Sequence, residues 1–216
     1  MKRLAIVTGA AGGIGKAVCD KFRQDGWDVV GVDIETDCGI GRYDVSDPGA
    51  VRELFQKIKG GRSERKALVN CAGAIEFNSI PDTTLQDWNL MLQHNLTTAF
   101  VMTREFAKFG LGTIVNVSSV NATLSSEHRV GYAAAKGGIE AFTRISATQL
   151  GPNIRVNCVA LGPIQTRQAN GLSRRNVLGR IGLPVEAADP IVWLCGDGAS
   201  YITGATLAVD GGYGLI

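Results

Sequence analysis

Charge is scarce in this sequence. Lys, Arg, Asp and Glu make up 19% of its 216 residues and nearly cancel, leaving a net charge of +2. So small an imbalance gives no electrostatic case for nucleic-acid binding, and 45% apolar residues argue against intrinsic disorder. No run reaches the roughly 18 apolar residues that a membrane-spanning helix needs. Met1-Lys2-Arg3 ahead of Leu4 to Val7 faintly resembles a secretory leader. That apolar run is too short, and it passes into Thr8-Gly9 with no cleavage pattern. The two histidines, His94 and His128, have no Cys or Asp neighbours at metal-ligand spacing, so no metal site is expected. The five cysteines are odd in number and contain no C-x-x-C, which excludes a disulfide framework and a zinc ribbon and makes a reducing cytoplasm the expected setting. There is no G-x-S-x-G elbow of an α/β-hydrolase. With only 6 prolines, the chain is no Pro/Gly-rich linker, and its length fits one domain over residues 1–216.

Glycine, by contrast, is abundant. There are 28, about twice the usual share, with no collagen-like period. They punctuate an alternation of short β-branched runs and longer helical patterns. Leu4 to Thr8, Asp28 to Val32, Ala67 to Asn70, Thr113 to Val117, Ile154 to Val159 and Thr206 to Val209 read as strands. Gly13 to Gln24, Pro48 to Lys59, Leu85 to Phe106, Gly131 to Leu150 and Val185 to Cys195 read as helices. Strands this apolar, alternating with helices, predict an α/β fold: a doubly wound parallel sheet with helices on both faces, Rossmann-like and three layers thick. Such sheets bind ligands beyond the carboxyl ends of their strands, so the residues just after each strand carry the functional signal.

After the first strand comes Thr8-Gly9-Ala10-Ala11-Gly12-Gly13-Ile14-Gly15, opening the first helix. Glycine lets a backbone turn tightly and approach a pyrophosphate, and the helix start offers free N–H groups to phosphate oxygens. About twenty residues on, Asp33 ends the second strand. A carboxylate there accepts hydrogen bonds from a ribose diol and repels a 2′-phosphate. No Arg or Lys stands at Ala10, Ala11 or Ile34 to favour NADP, so NAD is the expected cofactor and NADP the lesser one.

Tyr132 and Lys136 lie four apart on one helix face, with three alanines between them. A phenol is a poor base at neutral pH, but a neighbouring ammonium favours the phenolate. Such a pair can exchange a proton with a substrate oxygen while hydride moves to or from a nicotinamide.

At this point the chain resembles the short-chain dehydrogenases/reductases over nearly its whole length. Asn70-Cys71-Ala72-Gly73 is similar to the family's N-N-A-G. Asn95 matches the Asn of the long central helix, and Ile114 to Ser119 the strand end that carries the family's Ser. Ser119 is thirteen residues before Tyr132, the family spacing, which selects it over Ser118. Asp44-Val45 matches the pair whose acidic side chain meets adenine, and Gly162-Pro163-Ile164-Gln165-Thr166 the segment flanking nicotinamide. Tyr201 to Gly204 and Val209 to Gly212 resemble a C-terminal strand that commonly packs in a tetramer. The resemblance implies Tyr132 as general acid/base, Lys136 holding the nicotinamide ribose, Ser119 binding the reacting oxygen, and Asn95 holding a water in a relay with Lys136. Gly9, Gly13, Ile14, Gly15, Asp33, Asp44, Val45, Asn70, Ala72, Gly73, Tyr132, Lys136, Gly162, Ile164 and Thr166 are the implied cofactor-binding residues. It further implies a small-molecule alcohol or ketone substrate and a homo-oligomer, tetramer or dimer, with no nucleic acid or membrane as partner.

The chain departs from the pattern in three places. Cys71 replaces an Asn, and is expected as a small packing residue. Leu161 stands where the family has Pro. Only ten residues separate Asp33 from Asp44, too few for a helix and a strand, so one crossover is expected to be a loop. The segment near 166–180, where the family has its substrate lid, contains Arg167, Arg174, Arg175 and Arg180, with Arg129 before Tyr132. These arginines are either a solvated basic loop or a site for an anionic substrate or an acidic carrier protein. Two rivals to the alcohol dehydrogenase reading stand: an NADPH-dependent 3-oxoacyl-(carrier protein) reductase, which Asp33 opposes, and a non-catalytic dinucleotide-binding regulator, which the intact Asn95, Ser119, Tyr132 and Lys136 oppose.

Overall fold

Six short apolar runs build one parallel sheet. The computed structural model describes residues 2–35, 42–58, 65–124, 128–166 and 176–215. In chain order the elements are β1 (Arg3–Thr8), α1 (Gly13–Gln24), β2 (Asp28–Val32), α2 (Pro48–Ile58), β3 (Arg65–Asn70), α3 (Leu85–Met91), α4 (Thr98–Ala107), β4 (Gly112–Ser119), α5 (Val130–Leu150), β5 (Ile154–Leu161), α6 (Pro184–Cys195) and β6 (Thr206–Val209). The strands lie in the order β2-β1-β3-β4-β5-β6, every neighbouring pair parallel. Alternate residues serve opposite faces, as the two-residue period of a strand requires. Ala5 and Val7 of β1 pack with Val18 and Phe22 of α1 and Ile191 of α6. Ile6, between them, packs on the other side with Leu54 and Phe55 of α2 and Met102 and Phe106 of α4. This is the expected doubly wound, three-layer architecture.

The chain reverses its winding between β1 and β3, so the loops that follow those two strands diverge and leave a crevice. Of the connection after β2, the structure describes only the two ends. Arg42 pairs with Asp33 in a single parallel bridge, and the Tyr43 N–H donates to the Asp33 carbonyl at 2.9 Å. One bridge takes the place of a strand, and residues 36–41 lie outside the described residues.

The long helix expected from Leu85 to Phe106 is not uniform. Thr84 caps α3 with a reciprocal Thr84–Asp87 box, but Leu92–Thr97 form a π-turn before α4 begins. Its cause is local. The Asn95 side-chain amide donates to the Met91 carbonyl at 3.0 Å, an acceptor that an α-helix reserves for the Asn95 backbone N–H. At the opposite end of the sheet, the half-buried Arg155 guanidinium donates to the carbonyls of Leu194, Gly196 and Ile202, so it closes the C-terminus of α6. Among the described residues no helix is long and apolar enough to cross a membrane.

A buried polar chain ties the middle of the sheet to α4 and α5. Asn70 Nδ2 donates to Asn116 Oδ1 at 2.8 Å and to Thr103 Oγ1 at 3.2 Å, and Asn116 Nδ2 donates to Thr143 Oγ1 at 2.9 Å. Thr143 donates onward to the Ile139 carbonyl at 2.8 Å. Asn116→Ala removes the link that serves both sides and is expected to lower unfolding free energy by about 1–3 kcal/mol in urea denaturation. Thr148→Ala, which deletes an exposed hydroxyl bond on α5, is expected to stay within about 0.5 kcal/mol. Equal losses would show that the buried chain has no special weight.

Candidate active site

The crevice begins where β1 ends. The Thr8 hydroxyl accepts the backbone N–H groups of Cys71 and Ala72, both at 3.0 Å, and so fastens the loop after β3 to the start of the glycine loop. Gly9 has φ +68°, and a Cβ there would sit 2.9 Å from the Ala72 backbone. A Cβ on Gly15 would lie 2.1 Å from the Gly9 carbonyl oxygen. Neither position accepts a side chain without moving the loop. Gly13 faces the Thr166 side chain across the cleft.

The resulting cleft encloses about 510 Å³. Gly9, Gly13, Ile14, Gly15, Asp33, Asp44, Val45, Ala72, Gly73 and Thr166 all line it. At the end of β2, Asp33 Oδ2 accepts from the Ala11 N–H at 2.9 Å and Oδ1 from the Glu35 N–H at 3.2 Å, which clamps the carboxylate against the glycine loop. Hydrogen bonds from Ser46, through its hydroxyl and its backbone N–H, hold the Asp44 carboxyl below the usual carboxylate range, so it is an anion at neutral pH. Tyr43, Ser46, His94, Thr98 and Glu35 also line the cleft and were not anticipated. Tyr43 is brought there by the bridge after β2, and His94 and Thr98 by the π-turn. Neither feature leaves a sequence signature beyond the short spacing from Asp33 to Asp44.

A smaller cavity of about 170 Å³ adjoins this cleft and shares Ile14, Cys71, Gly73 and Thr166 with it. Asn95, Ser119, Tyr132 and Lys136 converge there, each less than a tenth exposed, together with Ile164. Lys136 Nζ donates to the Val117 carbonyl at 2.9 Å and lies 5.4 Å from the centroid of the Tyr132 ring. Asn95 Nδ2 is taken by the carbonyls of Met91 and Ala74, both at 3.0 Å, whereas its buried Oδ1 has no partner. A Cβ on Gly73 would lie 2.5 Å from that Oδ1 and 3.5 Å from Lys136 Nζ, so glycine keeps open the one spot that both atoms border. The two serines divide their work. Ser118 donates to the Lys136 carbonyl and lies within hydrogen-bond distance of Glu140, turned toward α5. Ser119, at the end of β4, accepts from the Asn121 N–H at 3.2 Å and lies beside Tyr132.

Two of the expected cofactor residues do not line either cavity. Asn70 is on the strand face that turns inward, and its amide belongs to the polar chain with Asn116 and Thr103. Gly162 stands against β6, where a Cβ would meet the Asp210 Cα at 2.7 Å. Burial pushes the Cys71 thiol up to about 11, partly offset by the Lys136 ammonium, so the sulfur is a neutral packing group. Of the lid arginines, Arg180 forms a two-point ion pair with Glu186 at the start of α6. Arg167, Arg174 and Arg175 lie outside the described residues.

These features fit a dinucleotide. The glycine loop is cleared of side chains, the start of α1 presents unpaired N–H groups, a clamped carboxylate stands at one end, and the Tyr–Lys pair stands at the other. Known proteins point the same way. The family model described as enoyl-(acyl carrier protein) reductase matches residues 9–214. The chain is 35% identical over 235 aligned positions to a 3-oxoacyl-(acyl-carrier-protein) reductase FabG of Chlamydia pneumoniae, covering 96% of this chain and 95% of that one. It is 33% identical to a trans-4-hydroxycyclohexanecarboxylate dehydrogenase of Sinomonas cyclohexanicum, covering 98% and 92%. Among solved structures, a 4-hydroxyisoleucine dehydrogenase complexed with NADH superposes with a TM-score of 0.92 at 27% identity, covering 100% of both chains.

Gly15→Ala forces its new methyl against the Gly9 carbonyl. It is expected to weaken dinucleotide binding about tenfold or more by calorimetric titration while the far-ultraviolet circular dichroism is kept. Unchanged affinity would mean that the loop relaxes freely.

Proposed function

Because the chain belongs to the short-chain dehydrogenase/reductase family, we propose that it interconverts a secondary alcohol and the corresponding carbonyl of a small molecule, with NAD as hydride carrier. The observation that carries this reading is the convergence of Asn95, Ser119, Tyr132 and Lys136 on a cavity continuous with the glycine-loop cleft. Bound there, a nicotinamide would accept hydride from the alcohol carbon or return it to the carbonyl. The chain's own residues handle the oxygen and its proton. Ser119 hydrogen-bonds the reacting oxygen and Tyr132 takes its proton during oxidation or gives one during reduction. The Lys136 ammonium, fixed by the Val117 carbonyl, keeps a positive charge near the Tyr132 ring while that proton is in transit. The unpaired Asn95 Oδ1 faces the same spot as Lys136 Nζ and supports a shared water there, through which the proton reaches solvent.

NAD is preferred on this reading because the Asp33 carboxylate, with Glu35 beside it, offers acceptors to a ribose diol and repels a 2′-phosphate. The name of the Chlamydia pneumoniae relative favours a second reading, reduction of a 3-oxoacyl chain on an acidic carrier protein. Phe100 and Ile145, about half exposed on α4 and α5, sit beside Phe142, and such an apolar face supports a homo-oligomer. Free thiols at Cys19, Cys71, Cys158 and Cys195 support a reducing, cytoplasmic setting.

Tyr132→Phe is expected to lower kcat about 10²–10⁴-fold, read by absorbance of reduced nicotinamide across a panel of alcohols and ketones. Full activity in that variant would overturn the role of the phenol. Asp33→Ala is expected to raise the NADP/NAD ratio of kcat/KM about tenfold or more, and Arg42→Ala in that background to reduce the gain, since Arg42 stands across the bridge from position 33. An unchanged ratio would remove the basis for preferring NAD.

A further inference from the structure

One cation at the catalytic cavity belongs neither to the proton machinery nor to the cofactor cleft. Arg129 is the residue immediately before α5, one turn ahead of Tyr132, and it lines the small cavity together with Ser119 and Tyr132. Its backbone is anchored. It pairs with Asn78 in a bridge between the loop after β3 and the start of α5, and its carbonyl accepts the Ala133 N–H at 2.8 Å. His128, just before it, has φ +61°, a left-handed turn that is unusual for a non-glycine residue and that brings the chain into this bridge.

The side chain is held by an aromatic surface. The Arg129 guanidinium carbon lies 5.0 Å from the centroid of the Phe77 ring, and Phe77 is itself 64% exposed at the cavity mouth. A guanidinium placed over a ring is attracted through its face, which leaves its in-plane N–H donors available to a planar anion. Among the described residues no carboxylate lies within 4 Å of it. Glu76, next to Phe77 in the chain, forms no ion pair with the guanidinium: its buried Oε1 is packed where a Gly131 Cβ would come within 2.7 Å. This contrasts with Arg180, whose donors are already spent on Glu186.

We propose that Arg129, stacked on Phe77, is the carboxylate receptor of the substrate cavity, so that the preferred substrates are hydroxy acids and their oxo acids. The proposal rests on the oxidoreductase reading and names its substrate class. The anion is bound in plane by the guanidinium while the hydroxyl or carbonyl oxygen lies between Ser119 and Tyr132. Arg129 sets which molecule is turned over and takes no part in hydride or proton transfer.

The test pairs small hydroxy acids of four to seven carbons with their methyl esters, which keep the shape and lose the charge. The wild-type protein is expected to favour the acids by about tenfold or more in kcat/KM. Arg129→Leu should abolish that preference by weakening the acids while the esters keep their rate, and Arg129→Lys should restore part of it. A second readout needs no turnover. Calorimetric titration of hexanoate and cyclohexanecarboxylate into the protein saturated with NADH should show binding that Arg129→Leu weakens about tenfold or more and Tyr132→Phe leaves in place. An acid-to-ester ratio near one, a ratio that survives Arg129→Leu, or carboxylate binding that ignores that substitution would each overturn the proposal. Ester turnover that depends on Tyr132 would still leave the oxidoreductase reading standing, so the two can fail separately.

Discussion

The Thr8 hydroxyl is the fastening on which the site depends. It sits at the last residue of β1 and accepts two N–H groups from the loop after β3. At this point the winding of the sheet reverses, and two loops that would otherwise diverge freely are drawn to one distance. Gly9 then has to pass beside the Ala72 backbone, and Gly15 beside the Gly9 carbonyl, with no space for a Cβ at either. The depth of the cleft, the direction of α1 and the path from Cys71 to Gly73 all follow from that closeness. A hydroxyl suits the task because it accepts from two donors at once and still has a hydrogen to give, here toward the Val69 carbonyl at 3.5 Å.

The catalytic cavity is built from the far side of the same crevice. Lys136 is almost wholly buried, a costly place for an ammonium unless its donors are met. One goes to the Val117 carbonyl at the end of β4, which ties the amine to the same strand that carries Ser119. The strand end and the first turns of α5 are thereby held as one unit. The polar chain from Asn70 through Asn116 to Thr143 repeats this tie deeper in the core, so the distance between sheet and helix is fixed at two levels.

Much of this was legible in the sequence, for definite reasons. Two-residue and 3.6-residue periods show as apolar patterns, so the six strands fell within a few residues of their expected spans, and the parallel, doubly wound sheet followed from their alternation with helices. The spacing from Asp33 to Asp44 leaves too little chain for both a helix and a strand, and among the described residues only a single bridge stands there. What escaped was decided in three dimensions. Asn70 stands in a segment that resembles a cofactor motif, yet its side chain faces the core because strand parity turns it inward. Gly162 is kept small by Asp210, a residue 48 positions later in the chain. Tyr43 and His94 reach the cleft through a one-residue bridge and a π-turn, neither of which has a compositional mark.

The π-turn also sets how the side chains within it are placed. Each residue of an α-helix advances the side chains by about 100°. The slower advance from Leu92 to Thr97 lets Met91 lie against Gly131 of α5 and Asn95 face the catalytic cavity while Val101, Met102 and Phe106 still meet the sheet. Removing one residue from this stretch would return it to ordinary α-helix and leave its later half close to its present phase, because one fewer step of about 100° sweeps nearly the same angle as the slower π-turn; what would be lost is the placement of side chains within the turn, Asn95 among them. The extra residue of this segment is therefore kept for where it sets His94 and Asn95, and not for the packing of the helix beyond it.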